Sequence, residues 1–169
     1  MIKMKQFAFV FVALFMATIA QAQDKKVKSP LQTASGKING ANITINYSSP
    51  SVNGRTIWGE LVPYGTIWRA GANDATTFET DKPIKVEGKD LPAGKYSFFV
   101  IPEKDAATVI LNKDHKQWGA YKYDSTKDQV RVKVKPKKSS VMNEKLKYTV
   151  NKNNVTLSWE NWDIPIMIK

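Results

Sequence analysis

Arginine is scarce in this chain, and two of its three copies, Arg55 and Arg69, fall within one stretch, Ser49 to Thr77. The same stretch carries Trp58, Tyr64 and Trp68, four glycines and the polar pair Asn73-Asp74. A guanidinium presents a planar fork of donors that grips a carboxylate, phosphate or sulfate through two parallel hydrogen bonds. A concave site with apolar walls and a few fixed polar groups is the usual form of a small-ligand pocket. On that chemistry Arg55 and Arg69 would hold an anion, Trp58, Tyr64 and Trp68 would wall the site, and Asn73 and Asp74 would orient it. The same residues also fit a packing role. The tryptophans would then fill the core, Arg69 would be a buried arginine paired with Asp74, and the glycines would only turn the chain. A second convergence of polar and aromatic residues, at His115, Trp118 and Tyr123, forms another candidate rim.

Other chemistries have few residues to draw on. There is no cysteine, so thiolate nucleophiles, disulfides and sulfur-ligated metals are excluded. His115 is the single histidine, and the aspartates lack calcium-loop spacing, so no metal or other cofactor is expected. A serine triad would have His115 alone as its base, and no Gly-x-Ser-x-Gly elbow occurs. Paired carboxylates are recognised by spatial separation. The candidates nearest the aromatic stretch are Glu60 and Asp74, so an envelope hydrolase would use one of them with His115.

The compartment is readable from the first residues. A short basic segment (Lys3, Lys5) precedes an apolar run from Phe7 to Ala20, closed by Ala20-Gln21-Ala22. The run is too short for a membrane span and ends on a small-x-small cleavage pattern, which predicts a signal peptide over 1–22. The expected product is an exported protein without a transmembrane segment, periplasmic or extracellular in a Gram-negative-type bacterium. The formal net charge of +11 comes almost wholly from lysine. Lysines spread over strand faces read as solvated surface that discourages edge pairing. Nucleic acid is therefore not expected as a partner, whereas a cell-envelope component is.

The elements that must position these residues are strands. Residues 23–41 read as an extended N-terminal arm, and 42–169 as one domain. Ile43, Ile45 and Tyr47 alternate with polar residues, as do Val130, Val132 and Val134, and Leu146, Tyr148 and Val150. Lys95–Ile101 is apolar on both faces, which predicts a central strand covered on both sides. Val155, Leu157 and Trp159 read as one strand, and Trp162, Ile164, Ile166 and Ile168 as another. No long 3.6-residue period occurs after the leader. About nine short strands separated by turn signals predict an all-β fold, an antiparallel two-sheet sandwich of jelly-roll type.

The run Trp68-Arg69-Ala70-Gly71-Ala72-Asn73, with Leu91-Pro92-Ala93-Gly94-Lys95-Tyr96, Gly54-Arg55 and Ile57-Trp58-Gly59, resembles a known family. It is similar to the exported bacterial proteins grouped as domain of unknown function family 2911, across nearly the whole chain beyond the leader. The resemblance implies a secreted β-rich domain and supplies no activity. It also implies glutamate after Gly-Ala-Asn, where this chain has Asp74, one methylene shorter. The first reading is a non-enzymatic domain binding a small anionic or carbohydrate-like ligand. An envelope interaction module stands second and the hydrolase third.

Overall fold

The protein is described by a computed structural model over residues 28–169. The expected signal peptide and the start of the N-terminal arm lie outside the described residues. Ten strands follow one another: β1 (Leu31–Ile38), β2 (Ala41–Ser48), β3 (Ala72–Thr80), β4 (Ile84–Val86), β5 (Lys89–Leu91), β6 (Gly94–Pro102), β7 (Ala107–Asn112), β8 (Asp128–Val134), β9 (Lys137–Val150) and β10 (Asn154–Met167). The chain is all-β and its strand pairs are antiparallel, as expected. The layers resolve into one open six-stranded sheet, ordered β1-β2-β3-β6-β7-β8, and two hairpins, β9–β10 and β4–β5.

Part of the stretch read as an arm is the edge strand β1, paired with β2 from Leu31↔Ser48 to Ile38↔Ala41. Its side chains are mostly exposed, so it carries no apolar alternation. Its signal is the turn instead. Asn39 and Gly40 both take positive φ, 48° and 84°, the two-residue hairpin geometry that Asn-Gly favours. The central strand β6 buries both faces as expected, with Phe98 and Val100 on the main core and Phe99 on a smaller cluster with Ile110 and Ala75.

The two C-terminal apolar runs form one strand rather than two. Buried apolar positions in β10 are odd through Trp159 and even from Ile164, a change of parity that a regular strand cannot make. An irregularity in the β9–β10 register spans Ser158 to Trp162, and Glu160, at φ 50°, absorbs the phase change. The β9–β10 hairpin contributes Leu146, Tyr148, Leu157, Trp159 and Ile164 to the core shared with the six-stranded sheet. The small β4–β5 hairpin extends this layer, since Lys85 and Lys169 exchange backbone hydrogen bonds.

The stretch from Ser49 to Gly71 contains no strand, yet both its ends are tied down. Val52 N–H donates to Glu144 O and Leu146 N–H to Pro50 O, which lays the first part along β9. Trp68 exchanges both backbone bonds with Val100, at 2.8 and 2.9 Å, taking the place beside β6 that β3 leaves. Between Trp68 and β3 the chain bends through Ala70, whose φ is 53°. The buried Ala70 carbonyl accepts from Tyr148 Oη at 2.8 Å and from Thr76 Oγ1 at 3.0 Å. Burial pushes the Tyr148 phenol well above its ordinary pKa, so it remains a neutral donor. Tyr148→Phe is expected to lower stability by about 1–2 kcal/mol, the loss of one buried hydrogen bond. Urea denaturation would show it as a lower midpoint at unchanged slope.

Candidate functional site

The sequence candidates separate into two clefts and a remainder. The larger cleft, about 970 Å³, opens between the Trp68–Ala72 bend, the loop at Pro50–Arg55 and the β9–β10 hairpin. Lys28, Arg55, Arg69 and Lys145 line it, and no carboxylate among the described residues does. Its apolar walls include Pro30, Pro50, Leu61, Val62, Trp68 and Trp159.

The two arginines sit differently within it. Arg55 folds onto its own loop, with Nε donating to Val52 O at 2.9 Å and Nη2 to Ser51 O at 2.6 Å. It therefore braces the turn while adding charge to the cleft. Arg69 is half-buried. Its Nε is sealed from solvent with no partner, and no hydrogen bond or ion pair to the guanidinium exists among the described residues. The pairing with Asp74 considered from sequence is not formed, because Asp74 lies on the other cleft. A second orphan donor, Trp159 Nε1, belongs to another residue lining the same cleft and is 2% exposed. Buried donors without partners are rare and cost about 1–3 kcal/mol each.

The aromatic residues do more packing than walling. Trp58 lies inside the core, stacked on Trp162 at 4.6 Å and edge-on to Trp68 at 5.7 Å and Trp159 at 6.2 Å. It lines neither cleft, and its Nε1 is taken up by Trp159 O at 3.4 Å. Tyr64 covers the outer side of this stack, 6.3 Å from Trp162, and also lies off both clefts. Trp68 combines the two roles. It stacks on Trp159 at 5.7 Å, spends its indole N–H on Gly71 O at 3.2 Å, and lines the cleft. Gly71 is required where it stands, since a Cβ there would approach Thr76 Oγ1 to 2.8 Å and Ser48 O to 3.1 Å.

The smaller cleft, about 500 Å³, lies on the opposite, polar face of the six-stranded sheet. It brings together Asp74, His115 and Trp118 with Asn46, Lys95 and Gln117. Asp74 and His115 share this cleft without a hydrogen bond between them, and Glu60 is exposed and lines neither cleft. Asn73, at φ 59°, donates from Nδ2 to Ser48 Oγ at 3.3 Å and lines neither cleft. Tyr123 is a loop staple. Its hydroxyl donates to Asp128 Oδ2 at 2.6 Å, and its ring meets Phe99 edge-on at 5.3 Å. Burial, then the Asp128 carboxylate, push its pKa far above the usual phenol range.

A family model described as a protein of unknown function, DUF2911, matches residues 29–168. The chain belongs to the DUF2911 family. No curated protein and no solved structure matches it. The DUF2911 match takes in the smaller cleft and all of the larger one but Lys28, including Lys145 and Trp159, which composition and alternation did not single out. Lys145 could not be told from its lysine neighbours by composition, and Trp159 fitted an ordinary strand alternation. Lys28 lies just outside the matched residues.

The state of Arg69 makes a direct prediction about stability. Arg69→Met removes the unpartnered donor and the charge while keeping most of the side-chain length. The variant is expected to be as stable as the parent, or more stable by up to about 1 kcal/mol, since the open cleft screens part of the charge. Urea denaturation checks this. A loss of more than about 2 kcal/mol would show that the guanidinium holds the fold.

Proposed function

We propose that this DUF2911 chain binds a small organic anion in the larger cleft, and that it does so as an exported protein. The observation that carries this reading is Arg69, whose guanidinium borders a cleft of four cations and has no partner among the described residues. Four like charges converging on one concavity repel one another, and a carboxylate, phosphate or sulfate relieves that repulsion. Arg69 would supply the bidentate fork, with Lys28, Lys145 and the braced Arg55 setting the field around it. The proline, leucine, valine and indole walls suit an anion that carries an apolar body. A neutral carbohydrate would leave the Arg69 charge uncompensated, so the anionic half of the sequence reading is preferred here. Export rests on the leader read from the sequence. On the same reading the two hairpins act as the second, smaller layer of a sandwich over the six-stranded sheet.

The rival readings part company with this one in a thermal-shift series. Phosphate, sulfate, citrate and aromatic carboxylates would be compared with sodium chloride at matched ionic strength. Specific binding raises the melting temperature saturably, by the equivalent of about 2.7 kcal/mol at a hundredfold excess over Kd. Arg69→Ala is expected to abolish the rise while far-UV circular dichroism stays unchanged. An interaction module docking through scattered lysines would show no such saturable rise. Persistence of the rise in folded Arg69→Ala would remove the assignment.

A further inference from the structure

The smaller cleft has a chemistry of its own. The loop after β7 returns to β3 through two backbone bonds, Ala75 N–H to Gln117 O at 3.0 Å and Gly119 N–H to Asn73 O at 3.1 Å. These bonds flank Asp74 and Trp118, which face each other as an isolated antiparallel bridge. Such a pair is of the non-hydrogen-bonded kind, in which Cα atoms lie about 4.5 Å apart and the side chains leave on the same face. A carboxylate and an indole are thus fixed side by side. Both are unengaged: the indole is 60% exposed, and Asp74 makes no hydrogen bond or ion pair among the described residues.

The surroundings complete a mixed donor and acceptor rim. Asn46 Oδ1 is occupied by Thr33 Oγ1 at 2.7 Å, which leaves its amide N–H groups to donate. Lys95 stands on the same face, 3.6 Å from Glu79. On the floor Gln117 is 8% exposed. Its Nε2 is anchored on Asp114 O at 2.8 Å, while its Oε1 is buried without a partner.

We infer that this cleft is a second site, independent of the anion cleft, that takes a pyranose ring stacked on Trp118 with its hydroxyls held by Asp74. A pyranose has an apolar C–H face for the indole and a rim of hydroxyls that both donate and accept. The cleft offers the same pairing: one flat apolar wall, a carboxylate to accept, and amide and ammonium groups to donate. On the rim Asp74 offsets Lys116 and Glu79 offsets Lys95, so a neutral ligand is favoured over an anion. A wholly apolar ligand is disfavoured because the sheet beneath presents Asn46 and Thr77.

The test is a ¹H–¹⁵N titration of the purified protein with maltotriose, cellotriose and chitotriose. The Trp118 indole signal is assigned by its loss in Trp118→Ala. At least one trisaccharide is expected to move that signal saturably. Asp74→Asn should weaken its binding about tenfold, as loss of a charged hydrogen bond does. Arg69→Ala, which removes the anion site, should leave the titration unchanged. Absence of any saturable shift at tens of millimolar trisaccharide, or equal binding by Asp74→Asn, would overturn the inference.

Discussion

One buried carbonyl, that of Ala70, organises the central part of this molecule. The residue is fully buried with φ in the left-handed region, where a non-glycine residue costs on the order of 1 kcal/mol. Hydrogen bonds from Tyr148 and Thr76 hold it there, one from the hairpin layer and one from the sheet. Trp68 is clamped to β6 on one side of the bend, and Ala72 pairs with Ser48 of β2 on the other. With both ends fixed, the bend sends Arg69 into one cleft and Asp74 into another. Two residues close in sequence, which look like an ion pair in waiting, are thereby kept apart.

That separation gives each cleft its character. The larger collects four cations against walls that include the stacked indoles of Trp68 and Trp159. The smaller collects a free carboxylate, a free indole and amides on the polar side of the same sheet. A fold optimised only for stability would have neutralised Arg69 with the nearby Asp74. Leaving both unengaged fits the general trade between stability and binding, in which groups kept for a ligand are a small burden on the empty protein.

Much of this was legible in the sequence, and what was not has specific causes. The one-face-wet pattern of β8 and the two-faced apolar run of β6 follow directly from side-chain period and burial. Strand β1 escaped because an exposed edge carries no apolar alternation, although Asn39-Gly40 marks its hairpin. The single long β10 read as two strands because its bulge shifts the buried parity, and Glu160 carries no compositional sign of positive φ. The Trp68–Asn73 run stood out as a centre of interest, but the direction of its side chains did not. Those directions depend on positive φ at Ala70 and Asn73, and alanine gives no warning of it. Trp58, Tyr64 and Tyr123 lie off both clefts, which aromatic composition alone could not show.

Anomalous diffraction from crystals grown with selenate tests whether the Arg69 guanidinium is held open for an anion. An anomalous peak is expected against Arg69 within the larger cleft, with Arg69 still separated from Asp74. A cleft without selenate while the ion binds elsewhere, or a guanidinium turned inward onto backbone carbonyls, would contradict it.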